Sequence, residues 1–247
     1  MSEKILDYLK EMRLPAMAEG YLAQKNDPSV QNLSFDERFE QLVTLEYDSR
    51  YNHTIEKNIK NAHFPDQTAS LDNINYKPDR NLDARLIEEL RTNEYIRSGL
   101  NIIITGASGC GKTWIACALG TNACMEKLKV LHITLNEFLN DCEAMKTQGN
   151  YKKYMRRINK FDLLIIDDFL LSTPQSEAER MDFLNLIDSR NVKKSIIICS
   201  QWLPEGWHDK LGGGPIADAT LDRIMNSSYN IDLQGKSLRE EYSKLKK

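Results

Sequence analysis

Residues 106–113 read Gly106-Ala107-Ser108-Gly109-Cys110-Gly111-Lys112-Thr113, a complete G-x-x-x-x-G-K-[ST] loop. The apolar run Leu100-Asn101-Ile102-Ile103-Ile104 precedes it, and the helix-forming run Trp114-Ile115-Ala116-Cys117-Ala118-Leu119 follows. That order predicts strand, tight loop, helix. It commits the chain around it to an α/β fold whose parallel sheet carries its ligand loops at the C-terminal ends of the strands. The glycines let the backbone wrap closely, so that successive N–H groups point inward as an anion nest. The helix starting near Lys112 adds its positive end. Lys112 has the reach and charge for β- and γ-phosphates, and the Thr113 hydroxyl suits Mg²⁺. The loop therefore predicts a nucleoside triphosphate site.

The rest of the chain supplies the fold that such a loop needs. Strands are expected at 100–105, 129–133, 162–167, 195–200 and 229–232, with helices at 81–91, 112–126, 136–147, 150–160, 177–190 and 216–226. Nearly continuous apolar strands separated by helices imply a parallel sheet covered on both faces. Residues 1–65 show no strand pattern. Two short amphipathic helices broken at Pro15 and near Pro28 lead into a long helix opened by the capping box Ser34-Phe35-Asp36-Glu37 and ending before Pro65. The expected organisation is a helical N-terminal domain over 1–65, for DNA or partner binding, and a nucleotide-binding domain over 66–247. Residues 66–80, with Pro78 and scattered Asn and Asp, read as a linker or a nucleotide-cradling segment.

Bulk composition narrows the class. The 247 residues are 41% hydrophobic and 28% charged, and no apolar run approaches the ~20 residues of a membrane span. No membrane partner is expected. Five cysteines without a CxxC pair predict a reducing, cytoplasmic setting. Cys117 and Cys124 share one helical face and read as small buried residues rather than metal ligands. The net charge of −3 means that any affinity for nucleic acid must come from local basic patches.

A triphosphate cradle needs a metal anchor and a means of orienting water before it hydrolyses anything. Phe161-Asp162-Leu163-Leu164-Ile165-Ile166-Asp167-Asp168 makes a buried strand with two carboxylates at its C-terminal end. Asp167 is placed to hold the Mg²⁺ shell together with Thr113, and Asp168 is the candidate general base or water-orienting group. The run Ile196-Ile197-Ile198-Cys199-Ser200-Gln201 puts a polar tip on another strand, with Gln201 the first choice and Ser200 the second for contact with the γ-phosphate or attacking water. Trp114 is bulky for the first turn of a phosphate-binding helix, and nothing in the sequence accounts for it.

Together Gly106–Thr113, Leu163–Asp168, Ser200-Gln201 and Leu221-Asp222-Arg223 resemble a AAA+ ATPase with a three-layer αβα domain. More narrowly the chain resembles the IstB-like family, the ATP-binding helper proteins of insertion-sequence transposons, related to DnaC-type helicase loaders. The narrower likeness rests on Asp167-Asp168-Phe169, Ser200-Gln201-Trp202, Trp207-His208 and Gly235-Lys236-Ser237-Leu238-Arg239. It also rests on the helical front with Leu-Pro-Ala-Met at 14–17, Glu46 to Arg50 and Ala62-His63-Phe64-Pro65. The resemblance spans essentially the whole chain. It implies ATP and Mg²⁺ as cofactors, Arg223 as an arginine finger reaching a neighbouring subunit's site, and Arg239 as an in-cis phosphate contact. Arg223 otherwise makes a surface salt bridge with Asp222 or Asp218, and Arg239 otherwise belongs to a solvated basic tail. A trans finger requires a homo-oligomer, ring or filament. Asp168 stands where most relatives in the wider superfamily carry Glu, one methylene longer, so slow hydrolysis is expected.

The densest basic segment is Tyr151–Lys160, with Lys152, Arg156 and Lys160 on one helical face and Lys153 and Arg157 beside them. It reads as a phosphate-binding stripe for duplex DNA without sequence preference, or as a solvated helix face. Tyr151 and Tyr154 either meet sugars and bases or cover the core. Arg50, Lys57 and Lys60 form a second basic group. The resemblance implies an ATP-dependent transposition helper that assembles on target DNA and recruits or stimulates the transposase, hydrolysis resetting the assembly. The alternatives are a replicative helicase loader and a non-hydrolysing nucleotide-switch scaffold.

Overall fold

The computed structural model describes residues 2–238, which fall into two compact units that divide between Lys57 and Asn58. The first unit holds α1 (Ser2–Glu11), α2 (Pro15–Asn26) and most of α3 (Phe35–Asn61). Pro15 opens α2 rather than merely ending α1, because its missing N–H is an orphan there anyway. The capping box forms as expected: Ser34 N donates to Glu37 Oε2 at 2.7 Å, and Glu37 N donates back to Ser34 Oγ at 3.3 Å. Glu46 is buried and accepts from Met17 N at 3.1 Å and from Arg50 Nε at 2.7 Å. Burial raises its pKa, but these partners outweigh burial and hold the carboxyl below its ordinary value. Arg50 also donates to the Arg13 carbonyl, so it braces α3 against the α1–α2 turn.

The units part earlier than the linker expected at 66. The last turn of α3 and the segment after it belong to the second core, where Ala62 and Phe64 are buried. A Cβ on Gly120 would come within 2.7 Å of the Phe64 ring, so glycine there lets the ring lie against a helix. The Ala62 carbonyl accepts from His132 N at 2.8 Å, satisfying a donor on a sheet edge.

The second unit continues with two single helical turns at Leu71–Asn73 and Pro78–Arg80, then α4 (Ala84–Arg91) and α5 (Glu94–Arg97). There follow β1 (Asn101–Gly106), α6 (Lys112–Met125), β2 (Val130–Thr134), α7 (Leu135–Thr147), α8 (Tyr151–Ile158) and β3 (Leu163–Phe169). The chain closes with α9 (Glu177–Arg190), β4 (Ser195–Ser200), α10 (Trp207–Lys210), α11 (Gly214–Met225) and β5 (Ser228–Leu233). All pairings are parallel, and the strand order is β2-β3-β4-β1-β5. Side-chain alternation with period two feeds both faces. Ile102, Ile104, Leu163, Ile165 and Ile197 pack with α6 on one, while Ile103, Leu164, Ile166, Ile196 and Ile198 pack toward α7–α9 and α11 on the other. Cys117 and Cys124 are buried, as are all five thiols. The sequence did not reveal α5 and α10, which are single turns too short to carry a periodic pattern.

The N-terminal ends of the strands are tied by buried polar side chains. Arg190 is fully buried, and its guanidinium donates to the carbonyls of Ile158, Phe161, Asp162 and Ser195 at 2.9–3.4 Å. Burial pulls its pKa down to about 10. Asn101 accepts from Ile196 N at 3.0 Å and donates to the Ile224 carbonyl at 3.4 Å.

Candidate functional site

The phosphate loop leaves β1 at Gly106, whose φ of 144° no side chain accepts readily and whose Cβ would sit 2.3 Å from the Leu233 carbonyl oxygen. Gly111, with φ 97°, lies under Arg80: a Cβ would meet Arg80 Nη2 at 2.9 Å. The loop's carbonyls are drawn to partners of their own. Gly106 and Ala107 each accept from Lys112 Nζ at 2.8 Å, Gly109 from Leu238 N at 2.9 Å, and Cys110 from Arg80 Nη2 at 2.9 Å. Among the described residues, the amides of Ser108, Gly109 and Gly111 have no hydrogen bond. Occupied carbonyls beside unpartnered amides at a helix N-terminus are what a polyphosphate requires, so the loop fits the group its sequence implies.

The acidic pair separates into a buried and an exposed carboxylate. The β3–β4 register shifts between Ile166 and Phe169, and Asp168 adopts φ 49° within this bulge. Such an irregularity re-aims side chains at a sheet rim. Asp167 consequently stays buried while Asp168 is exposed beside it. Asp167 Oδ2 lies 3.3 Å from His132 Nε2, Asp167 Oδ1 accepts from Asp168 N at 2.9 Å, and the Thr113 hydroxyl lies near enough to favour the charged carboxylate. Burial alone would raise this carboxyl, but His132, Thr113 and the Asp168 amide outweigh it and hold the group below the ordinary carboxylate value. A hydroxyl and an ionised carboxylate near each other are hard oxygen donors of the kind Mg²⁺ takes, directly or through water. His132 went unassigned in the sequence because only the parallel β2–β3 pairing, with Thr134 opposite Asp167, brings it there.

These groups converge on one cavity of about 520 Å³. Ser108, Gly109, Gly111, Lys112 and Thr113 line it together with Asp168 and Gln201; Pro65, Asp66, Asn73, Asn75, Arg80, Trp114 and Leu238 complete its wall. The first choice at the β4 tip, Gln201, thus reaches the cavity. Ser200 does not: its buried hydroxyl donates to the Phe169 carbonyl at 2.9 Å and accepts from Trp202 N at 3.1 Å. It fastens the rims of β3 and β4 together. The segment 66–80 contributes cavity wall, which favours the cradling alternative over a bare linker. Proximity of Asn73 and Asn75 to the loop has no local sequence signal, since it depends on the buried Arg80 clamp.

Arg223 lies elsewhere. The carbonyl of Arg223 is 3.5 Å from Asn101 Nδ2, at the start of β1, whereas the loop begins at the strand's far end, roughly 17 Å away at 3.3 Å per residue. Its Nε donates to Asp188 Oδ1 at 2.7 Å. The acid is not Asp218 or Asp222, because α11 turns this face toward α9, Asp218 pairs with His208 at 3.2 Å, and Asp222 accepts from Asn226. Arg239 lies outside the described residues. The four cations Lys152, Lys153, Arg156 and Arg157 on α8 and Lys160 in the turn after it are all exposed, and none makes an ion pair among the described residues. Tyr154 is buried, donating to Asp141 Oδ2 at 3.0 Å, so it covers the core rather than offering a ring to a ligand.

A parallel sheet with a phosphate loop after β1, an acidic pair at the end of β3 and a polar tip at β4 defines a P-loop αβα domain. Solved structures agree on the fold. AMPPCP-bound DnaA from Aquifex aeolicus superposes with a TM-score of 0.57 at 21% identity, over 72% of this chain and 55% of that one. The DnaC helicase loader gives 0.54 at 17% identity, over 67% and 97%. The profile of the IstB-like ATP binding protein family matches residues 7–246, and the chain belongs to that family. Its similar proteins include an insertion sequence ATP-binding protein of Sinorhizobium fredii, 32% identical over 97% of both chains. Another, from Pseudomonas fluorescens, is 34% identical over 81% of this chain and 87% of its own length. Among the described residues no helix is long and apolar enough to cross a membrane.

Proposed function

We propose that this chain is a DNA-stimulated ATPase that assists transposition. ATP drives its assembly on target duplex DNA, the assembly recruits and stimulates the transposase of the same element, and hydrolysis resets it. The observation that carries this reading is the convergence of Lys112, Thr113, Asp168 and Gln201 on one cavity, with Asp167 buried behind Asp168, in a chain whose relatives are named for insertion sequences.

Lys112 and the loop amides hold the β- and γ-phosphates. Thr113 and Asp167 hold Mg²⁺, which when bound offsets phosphate charge. Asp168, exposed at the rim, orients the attacking water and accepts its proton, and Gln201 fixes that water from the adjacent strand. Arg223 is too far from its own loop to serve it, so it acts on the site of a neighbouring subunit after exchanging Asp188 for the γ-phosphoryl. The α8 cations bind phosphates of duplex DNA, without reading bases.

The test is steady-state ATP turnover with and without duplex DNA and transposase, for the wild type and Asp168→Ala. The reading expects DNA-stimulated turnover that Asp168→Ala abolishes. Absence of turnover in the wild type under every condition overturns the enzymatic claim. Preference for single strands over duplex overturns the transposition reading in favour of a helicase loader.

A further inference from the structure

Trp114 follows the phosphate loop directly, and no step above uses it. It stands in the first turn of α6, half-buried: part of the ring packs against the core below the sheet, and the residue also lines the nucleotide cavity. Its indole N–H has no hydrogen bond among the described residues. The chain just before Pro65 lies along the same helix, since a Cβ on Gly120 of α6 would come within 2.7 Å of the Phe64 ring. Pro65 and Asp66 line the same cavity as Trp114.

The cavity lining is of two chemical kinds. Loop amides, Lys112 and Thr113 suit an anion, and Arg80 is clamped between the loop and Asn75. The Trp114 ring, Pro65 and the polar groups of Asp66, Asn73 and Asn75 offer instead a flat apolar face beside hydrogen-bonding edges. A nucleotide is divided in the same way, into a polyphosphate and a flat π-faced base.

We propose that Trp114 is the nucleobase platform of this site: the indole lies against the face of the base and supplies affinity separate from that of the phosphates. The inference rests on the nucleotide reading above. Stacking of a base on an aromatic ring is sequence-tolerant because every base has a π-face, and a larger purine gains more than a pyrimidine.

The experiment titrates ATP, CTP and inorganic tripolyphosphate, each with Mg²⁺, into the wild type, Trp114→Leu and Trp114→Phe. Leucine keeps the apolar packing and removes the π-face. Expected for Trp114→Leu is a Kd for ATP raised about tenfold, a smaller rise for CTP and no change for tripolyphosphate, with Trp114→Phe recovering most of the ATP affinity. A second readout needs no variant at position 114. In Trp202→Phe the remaining tryptophans are Trp114 and the fully buried Trp207, and ATP but not tripolyphosphate should alter their emission. Parallel weakening of ATP and tripolyphosphate would mean that the ring only braces the loop, and overturns the proposal. Unchanged ATP affinity in Trp114→Leu, or an emission unmoved by ATP, overturns it as well while leaving the ATPase reading intact. Failure of the wild type to bind either ligand sinks both.

Discussion

The two ends of the parallel sheet hold similar residue types put to opposite use. At the N-terminal end Arg190 through both its Nη atoms, Asn101 and Asp162 bond to backbone and to Lys194, while the buried Arg190 Nε has no partner among the described residues. Asp162, for example, accepts from Lys129 N at 3.0 Å and Lys194 Nζ at 2.6 Å. At the C-terminal end the loop amides, Asp168 and Gln201 face a cavity. A buried polar group away from any cavity organises the fold; one that lines a cavity is within reach of a ligand. Charge and motif alone do not separate the two cases. Arg190 and Lys112 are both buried cations bonded to backbone carbonyls, and what tells them apart is that Lys112 lines the cavity.

Replacing Lys112 with Ala should produce the largest effect, abolishing ATP binding by calorimetry together with ATP-dependent assembly by light scattering. DNA-bound oligomers of normal size in that variant would break the assignment of the C-terminal end. Arg223→Ala should leave ATP affinity unchanged while lowering stimulated turnover by about 10³-fold, on the scale of arginine fingers in nucleotide hydrolases. Unchanged turnover would return Arg223 to its ion pair with Asp188 and to the structural end of the comparison.

Arg190→Leu takes the guanidinium from four carbonyls, of which Ile158 keeps Phe161 N as donor, and should cost about 3 kcal/mol in urea unfolding, with ATP affinity retained once folded. A loss of ATP affinity without loss of stability would blur the distinction between the ends. Substituting Lys152, Arg156 and Lys160 together by Ala should flatten the slope of log K for duplex DNA against log salt by about 2–3. An unchanged slope identifies α8 as a solvated face.

The smallest effect concerns pH. Burial raises the Asp162 carboxyl, but the Lys129 amide and Lys194 outweigh it and lower its pKa. A carboxyl lowered in the folded state stabilises above its unfolded pKa, near 3.9, and that contribution fades as pH falls through the folded value. Asp162→Asn should therefore make acid unfolding below about pH 4 shallower, while leaving the profile at neutral pH flat.

Much of this site was legible before any coordinates. The phosphate loop, the Asp167-Asp168 pair and Gln201 lie at predictable positions because a strand followed by a turn forces residues to its rim. The strands and most helices announce themselves through apolar runs and caps. Residues whose role depends on a distant partner stayed hidden. Asp66, Asn73 and Asn75 reach the cavity because Arg80 clamps their segment to Cys110. His132 reaches Asp167 only across the β2–β3 pairing, and Ser200 is diverted to Phe169 by the neighbouring strand's rim.

By itself, then, the sequence determined the chemistry of the phosphate end, the parallel sheet and the family, because each depends on spacing within a few residues along the chain. Tertiary structure decided the separation of Asp167 from Asp168 through a bulge, the removal of Arg223 to the far end of the sheet, and the placing of Trp114 in the cavity wall. Each of those depends on which segments, remote in the chain, come to share a surface. Local pattern does not encode that; packing of the whole domain does.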